Sequence, residues 1–181
     1  MRALFYIIDA LSMLITFIFL LRFWLPWFRV DFRNPIAQGI LQATSPVINP
    51  LRRIVPSIGR VDTATVLVMF SIQAITLVLI ASLSDIPLTA RYILVSSVFK
   101  LIFLSIRMFM FAIIIRIVLS WIAPQTYNPA TALLNAITDP LLRPFRRFIP
   151  PIGGFDLSPV FAIILIGALS MLVLDVQALF M

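Results

Sequence analysis

All the ionic chemistry open to this 181-residue chain rests on fourteen basic residues, thirteen arginines and Lys100, and on seven aspartates, at positions 9, 31, 62, 85, 139, 156 and 175. There is no Cys, no His and no Glu. Thiol nucleophiles, imidazole bases, His- or Cys-ligated metals and haem held by His or Cys lie outside its means. Aspartates and arginines can hold a phosphate group or one another. They assemble neither a metal cluster nor a nucleophile–base pair, so the chain is expected to be no enzyme and to need no cofactor.

The spacing of these residues says more than their types. Asn34-Pro35, Pro46, Pro50, Arg52-Arg53, Pro56, Ile58-Gly59 and Asp62 recur as Asn128-Pro129, Pro140, Pro144, Arg146-Arg147, Pro150, Ile152-Gly153 and Asp156. One offset relates every pair: 128 minus 34 and 156 minus 62 are both 94. Arg22 and Arg116, Leu25 and Leu119, Trp27 and Trp121, and Thr44 and Thr138 obey it too, without a gap. A repeat kept this strictly is one physical unit used twice. Each unit reads as a hydrophobic run, a Pro/Arg-rich loop and a second hydrophobic run.

Two groups of residues are candidates for function. Arg52 and Arg53 in the first loop, with Arg143, Arg146 and Arg147 in the second, are placed to meet anionic lipid head groups or a protein partner. Asp9, Arg22, Gln73, Arg107, Arg116 and Asp175 fall inside apolar runs, where a charge costs roughly 2.5–3.5 kcal/mol at mid-helix. Arg22 and Arg116, about a turn from Trp27 and Trp121, are expected to snorkel to a boundary or to pair with Asp62 and Asp156. Asp9 and Arg107 are expected to pair, either as the seed of an ion path or as a register lock. Asp175 is expected to meet Lys100 or to stay at the outer interface. Gln73 is placed to hydrogen-bond across the bundle.

The elements that must carry these residues follow from composition. Hydrophobic residues make up 62% of the chain and charged residues 12%, against about 45–50% and 25% for soluble domains. The expected fold is an all-α membrane protein with four transmembrane helices, arranged as two tandem two-helix repeats. Continuous apolarity without alternation excludes barrel strands. The first repeat, 1–87, would cross at 3–28 and 64–83 with an interfacial loop over 29–63. The second, 88–181, would cross at 103–123 and 158–181 with a loop over 124–157. The first run is not read as a signal peptide: it holds Asp9, lacks a small-residue cleavage pattern, and corresponds to the third run. The third run is too long for a simple crossing. Residues 88–103 are expected to begin as an interfacial or projecting helix, with Lys100 snorkelling towards the outer surface.

The two loops carry eight arginines (29, 33, 52, 53, 60, 143, 146 and 147), whereas the N-terminus and the 84–91 connection carry Arg2 and Arg91. The positive-inside rule then puts both loops in the cytoplasm and both termini outside, in a bacterial inner membrane. The repeats would share one orientation about a pseudo-twofold axis along the membrane normal. The net charge of +7 belongs to this topology and to lipid head groups, and no nucleic acid contact is expected.

Within each loop, Asn34-Pro35 and Asn128-Pro129 are helix starts, predicting short helices over 35–44 and 129–138. Ser45-Pro46 and Asp139-Pro140 repeat that grammar and predict a second helix in each loop, bent at Pro50 and Pro144. Val47, Ile48, Leu51, Ile54 and Val55, and likewise Leu141, Leu142, Phe145, Phe148 and Ile149, would form an apolar side opposite the arginines. Pro150-Pro151-Ile152-Gly153-Gly154, with its weaker copy at 56–60, would redirect the chain. Asp62 or Thr63 would start the second crossing, and Asp156 or Ser158, with Pro159, the fourth.

The run from Thr138 to Pro159, preceded by Asn128-Pro129 and by Arg116-x-x-Leu119-Ser120-Trp121, resembles the signature of the YggT family over essentially the full chain. The first repeat departs from the signature: Asn49, Ser57 and Arg60 stand where the second has Arg143, Pro151 and Gly154. This implies that any strict binding role lies with the second repeat. The resemblance implies associations with osmotic tolerance, potassium homeostasis, cell division and cell shape, and in plastids with cytochrome assembly and nucleoid distribution. Two functions are therefore expected in turn: an inner-membrane scaffold that recruits anionic lipid, a partner membrane complex or another copy of itself, or a small oligomeric ion-translocating protein.

Overall fold

A computed structural model describes residues 2–84, 88–122, 128–149 and 156–180, leaving aside the side chain of Trp121. Asp85 and the Pro150–Gly154 turn, with Gly153 and Gly154, lie outside the described residues. The described chain is all-helical: α1 (Arg2–Trp24), α2 (Pro35–Arg52), α3 (Thr63–Ser82), α4 (Ala90–Ile122), α5 (Pro129–Phe148) and α6 (Ser158–Phe180). The only sheet-like feature among the described residues is one isolated bridge between Ile58 and Val61. Four helices, α1, α3, α4 and α6, are long and apolar enough to cross a membrane.

The ends of the helices follow from local chemistry. Pro26 stops α1, and the chain turns through Arg29 in the left-handed region (φ 50°). The Asn34 carboxamide oxygen accepts from the backbone N–H of Ile36 (2.9 Å) and Ala37 (3.4 Å), and Pro35 takes the first helical position. Asn128 accepts from the Thr131 N–H at 2.9 Å, while the Thr131 hydroxyl accepts from the Asn128 N–H at 3.1 Å. That is a reciprocal cap. Gly59 closes the turn into α3 at φ 60°, a conformation open to glycine without strain.

The prolines at 46 and 140 do not start new helices. Each loop holds a single helix that runs through both its prolines, α2 for 18 residues and α5 for 20. Pro46 has no N–H to offer the Gln42 carbonyl. One residue earlier the Leu41 carbonyl accepts side-chain donors, from the Ser45 hydroxyl at 2.5 Å and from Arg22 Nη1 at 3.2 Å. α4 is one unbroken helix of 33 residues, about 50 Å long and so longer than a ~30 Å hydrocarbon core.

Three clusters make the core. Phe19, Leu20, Ile48, Ala64, Val68, Met69, Leu104 and Met108 join α1 to α4. Leu25, Val30, Ala37, Ala112, Leu133 and Ile137 join α2 to α4 and α5. Ile113, Leu142 and Ala162 join α4, α5 and α6. These last three stand 94 residues beyond Phe19, Ile48 and Val68 of the first cluster. Between the halves, α3 packs on α4, α2 on α5, and α1 lightly on α4, but α1 and α6 do not pack on each other. A closed twofold would need α6 on α1 to match α3 on α4, so the expected pseudo-twofold is incomplete.

Gln73 meets its expectation. It is fully buried and donates through Nε2 to the Thr16 hydroxyl at 2.7 Å, and Thr16 in turn donates to the Ser12 carbonyl at 2.7 Å. Bonds of this kind between membrane helices contribute about 0.6 kcal/mol on average. Thr16→Val, which strands the Gln73 amide, should therefore lower stability by about 1–2 kcal/mol in micelle unfolding titrations. Thr16→Val with Gln73→Leu together should cost less than the single change.

Candidate functional site

The chemistry collects where α2 meets the ends of α1 and α3, and again where α5 meets α4 and α6. In the first half Arg22 is 5% exposed. Its Nη1 donates to the Thr44 hydroxyl at 2.7 Å, to the Ser45 hydroxyl at 3.3 Å and to the Leu41 carbonyl. Its Nε lies 3.8 Å from the Asp62 carboxylate. Thr44 passes its own proton back to the Ile40 carbonyl at 2.6 Å. Asp62 caps α3 by accepting from the Thr65 backbone N–H at 3.5 Å, accepts also from the Thr65 hydroxyl at 2.6 Å, and takes a two-pronged contact from Arg52 Nη2 (2.5 Å) and Nε (3.3 Å).

The second half repeats the plan with one change. Arg116 Nη1 donates to the Thr138 hydroxyl at 2.6 Å, and Thr138 donates to the Leu134 carbonyl at 2.7 Å. Arg146 Nε donates to Asp156 at 2.9 Å, the counterpart of Arg52 on Asp62. Asp156 also accepts from the Ser158 N–H at 2.9 Å. The change is at residue 139, where Asp stands in place of Ser45. Asp139 accepts from Arg116 at 2.6 Å and from Arg146 at 3.2 Å. Arg22 thus meets Asp62 as expected, whereas Arg116 pairs with Asp139 and not with Asp156, because a carboxylate one residue past Thr138 lies within its reach.

Electrostatics agree with this geometry. Burial alone would raise the Asp62 carboxyl, but hydrogen bonds from Arg52 and Thr65 and the charge of Arg52 outweigh it and hold the group below its ordinary value of 3.8. Burial acts likewise on Asp156, and the bonds from Ser158 and Arg146 outweigh it in the same direction.

The other candidates fall into three places. Arg53, Arg143 and Arg147 are exposed, and none has a carboxylate within 4.0 Å among the described residues. Asp9 pairs with Lys100, not with Arg107. Lys100 is seven residues nearer the end of α4 that faces Asp9, about 10 Å along the axis. Lys100 is consequently not available to Asp175, which is exposed on α6. Asp9, Lys100 and Arg107 line one cavity of about 410 Å³, from which Gln73 is absent. Sequence reading missed Ser45 and gave Thr44 and Thr138 no role, although both threonines obey the 94-residue offset and two more hydroxyls near an intramembrane arginine were the available signal.

Taken together, these features define a chain whose described residues are all-helical, with four membrane-length helices, and in which an Arg–Thr contact and an Arg–Asp clasp each occur twice at one spacing. The CCB3/YggT family profile matches residues 1–83 and again 95–177, each bound displaced by that same 94, and the chain belongs to this family. An uncharacterized protein of Pseudomonas aeruginosa is 42% identical over 172 residues, covering 94% of this chain and 87% of that protein. The uncharacterized protein YggT of Escherichia coli K12 is 33% identical over 180 residues, covering 97% and 92%. The chloroplastic YlmG homolog protein 2 of Arabidopsis thaliana is 41% identical over 61 residues, 32% of this chain and 23% of that protein. No solved structure matches the chain.

Two measurements test the network. Asp62→Asn leaves the buried Arg22 without its counter-charge and should cost roughly 3 kcal/mol in micelle unfolding titrations. Asp156→Asn should cost less, because Asp139 still faces Arg116 and Arg146. A carboxyl held below its unfolded value stabilises the fold fully above that value, and the contribution is lost as pH falls through the lowered folded value. The wild-type melting temperature should therefore fall below pH 3.8, and more steeply than that of the Asp62→Asn, Asp156→Asn double variant.

Proposed function

We propose that the protein is a non-enzymatic membrane scaffold. In this reading two copies of a helical hairpin stand side by side in the bilayer. Each is joined by an amphipathic helix, α2 or α5, that lies against the anionic inner leaflet. The observation that carries the reading is the division among the arginines. Arg52 and Arg146 are held by Asp62 and Asp156, while Arg143 and Arg147 on α5 and Arg53, just past the end of α2, are exposed with no carboxylate within 4.0 Å among the described residues. Large apolar side chains are exposed beside them, Ile54 at 79% and Phe148 at 84%. Free cations next to exposed apolar groups at the end of each helix suit an anionic lipid surface, where each arginine contributes about 1 kcal/mol.

The excess of arginine in these segments favours a cytoplasmic position for them in an inner membrane. A platform of this kind suits recruitment of a partner membrane complex or a second copy of the chain. The envelope-related roles implied by the family resemblance fit that use. An ion path through Asp9, Arg107 and Gln73 has less support, since Gln73 is sealed against Thr16, away from the cavity that the other two line.

Replacing Arg53, Arg143 and Arg147 with Gln together should weaken the retention of phosphatidylglycerol over phosphatidylcholine by one to two orders of magnitude at low salt. Native mass spectrometry of the protein with its bound lipid reads this out. Equal retention would sink the lipid platform, and reporter fusions placing α2 and α5 on opposite sides of the membrane would sink the topology.

A further inference from the structure

The cavity that holds Asp9, Lys100 and Arg107 is built on other residues than the arginine platform. It opens between α1 and α6, on the face of α4 where those two helices fail to pack on each other. In the first half Gln73 of α3 bonds to Thr16 of α1, and both are fully buried. The counterparts 94 residues on are Gly167 and Met110. Gly167 offers no side chain, and a Cβ built on it would meet nothing within 4 Å. Met110 and Ser170 line the cavity instead.

The lining has a definite character. Met13, Phe103, Met110 and Leu174 make it mostly apolar. Lys100 is neutralised by Asp9. Arg107 has no ion pair among the described residues, so the three charged groups sum to plus one. Along α4, Arg107 stands nine residues, about 13 Å, from Arg116, and thus well inside a hydrocarbon core of ~30 Å. Its side chain leans towards the N-terminus of its own helix, hence towards Lys100 and the opposite leaflet. An unpaired guanidinium at that depth costs several kcal/mol unless an anion reaches it. A cavity of about 410 Å³ is within the size range of lipid and cofactor sites.

We propose that this cleft seats one anionic phospholipid. Its singly charged phosphate rests on Arg107, and one acyl chain runs along Phe103, Met110 and Leu174. Charge complementarity selects an acidic head group, and the apolar lining selects an amphiphile over a free anion. The site is independent of the scaffold reading, since none of its residues lies on α2 or α5.

The test uses the full chain reconstituted in phosphatidylcholine vesicles with a trace of phosphatidylglycerol carrying a photoreactive acyl chain, adducts being mapped by mass spectrometry. Adducts are expected on residues 103–110 and 170–174. Arg107→Gln should reduce them about tenfold, the worth of one charge-assisted contact. Ser170→Trp, which fills the cleft and leaves Arg107 in place, should reduce them likewise. The variant with Gln at 53, 143 and 147 should keep them, separating this site from the platform. Equal labelling by photoreactive phosphatidylcholine on the wild-type protein would overturn the proposal, as would labelling unchanged in Arg107→Gln or abolished by millimolar inorganic phosphate. The head-group comparison needs no variant, so a misfolded Arg107→Gln protein leaves the proposal open to refutation.

Discussion

A guanidinium withdrawn from water must find acceptors for its N–H groups and a negative charge close by, and the rest of this architecture arranges itself around that need at Arg22 and Arg116. Each helical carbonyl already holds one backbone N–H and has a single lone pair left. The chain adds acceptors from a helix that carries two prolines, whose threonine hydroxyl and the residue after it face the arginine, and whose far end hands a second arginine to the aspartate ahead of the next helix. Removing any one member leaves another buried and unmatched, which is why the prolines, threonines, arginines and aspartates recur as a set.

The halves solve the same problem with different margins. In the first, Ser45 gives a neutral acceptor and the single carboxylate of Asp62 serves both Arg22 and Arg52. In the second, Asp139 adds a carboxylate, so Arg116 and Arg146 share two. The first arginine is accordingly the more deeply buried, with 4% of its side chain exposed against 20% for Arg116. The halves are also tied to each other. The Asn34 amide donates to the Pro129 carbonyl at 2.7 Å, joining the starts of α2 and α5, and the Trp24 indole reaches Ser105 at 3.4 Å.

Much of this was legible in the residues, and the reasons for the exceptions are physical. Membrane-length helices declare themselves by uninterrupted apolarity, and the caps at Asn34 and Asn128 are local chemistry. The 94-residue offset announced that whatever Arg22 does, Arg116 does also. Continuity through Pro46 and Pro140 was not legible. Ser45-Pro46 and Asp139-Pro140 read in isolation signal a start, whereas α2 and α5 run through both prolines. The partner of Asp9 was mistaken for a similar reason: Lys100 and Arg107 lie on the same long helix, and only the register between α1 and α4 decides which of them comes level with the carboxylate. Nor did the sequence announce that α1 and α6 stay apart.

The ion pairs and arginine–hydroxyl contacts that hold each elbow span 7 to 40 residues of chain. None of them reaches into the other half. Closing loops of this length is fast and loses little chain entropy. The N-terminal hairpin can therefore settle its own buried charge while the C-terminal hairpin is still being made, and Arg22 need not wait in the lipid for a segment of the other half to leave the ribosome.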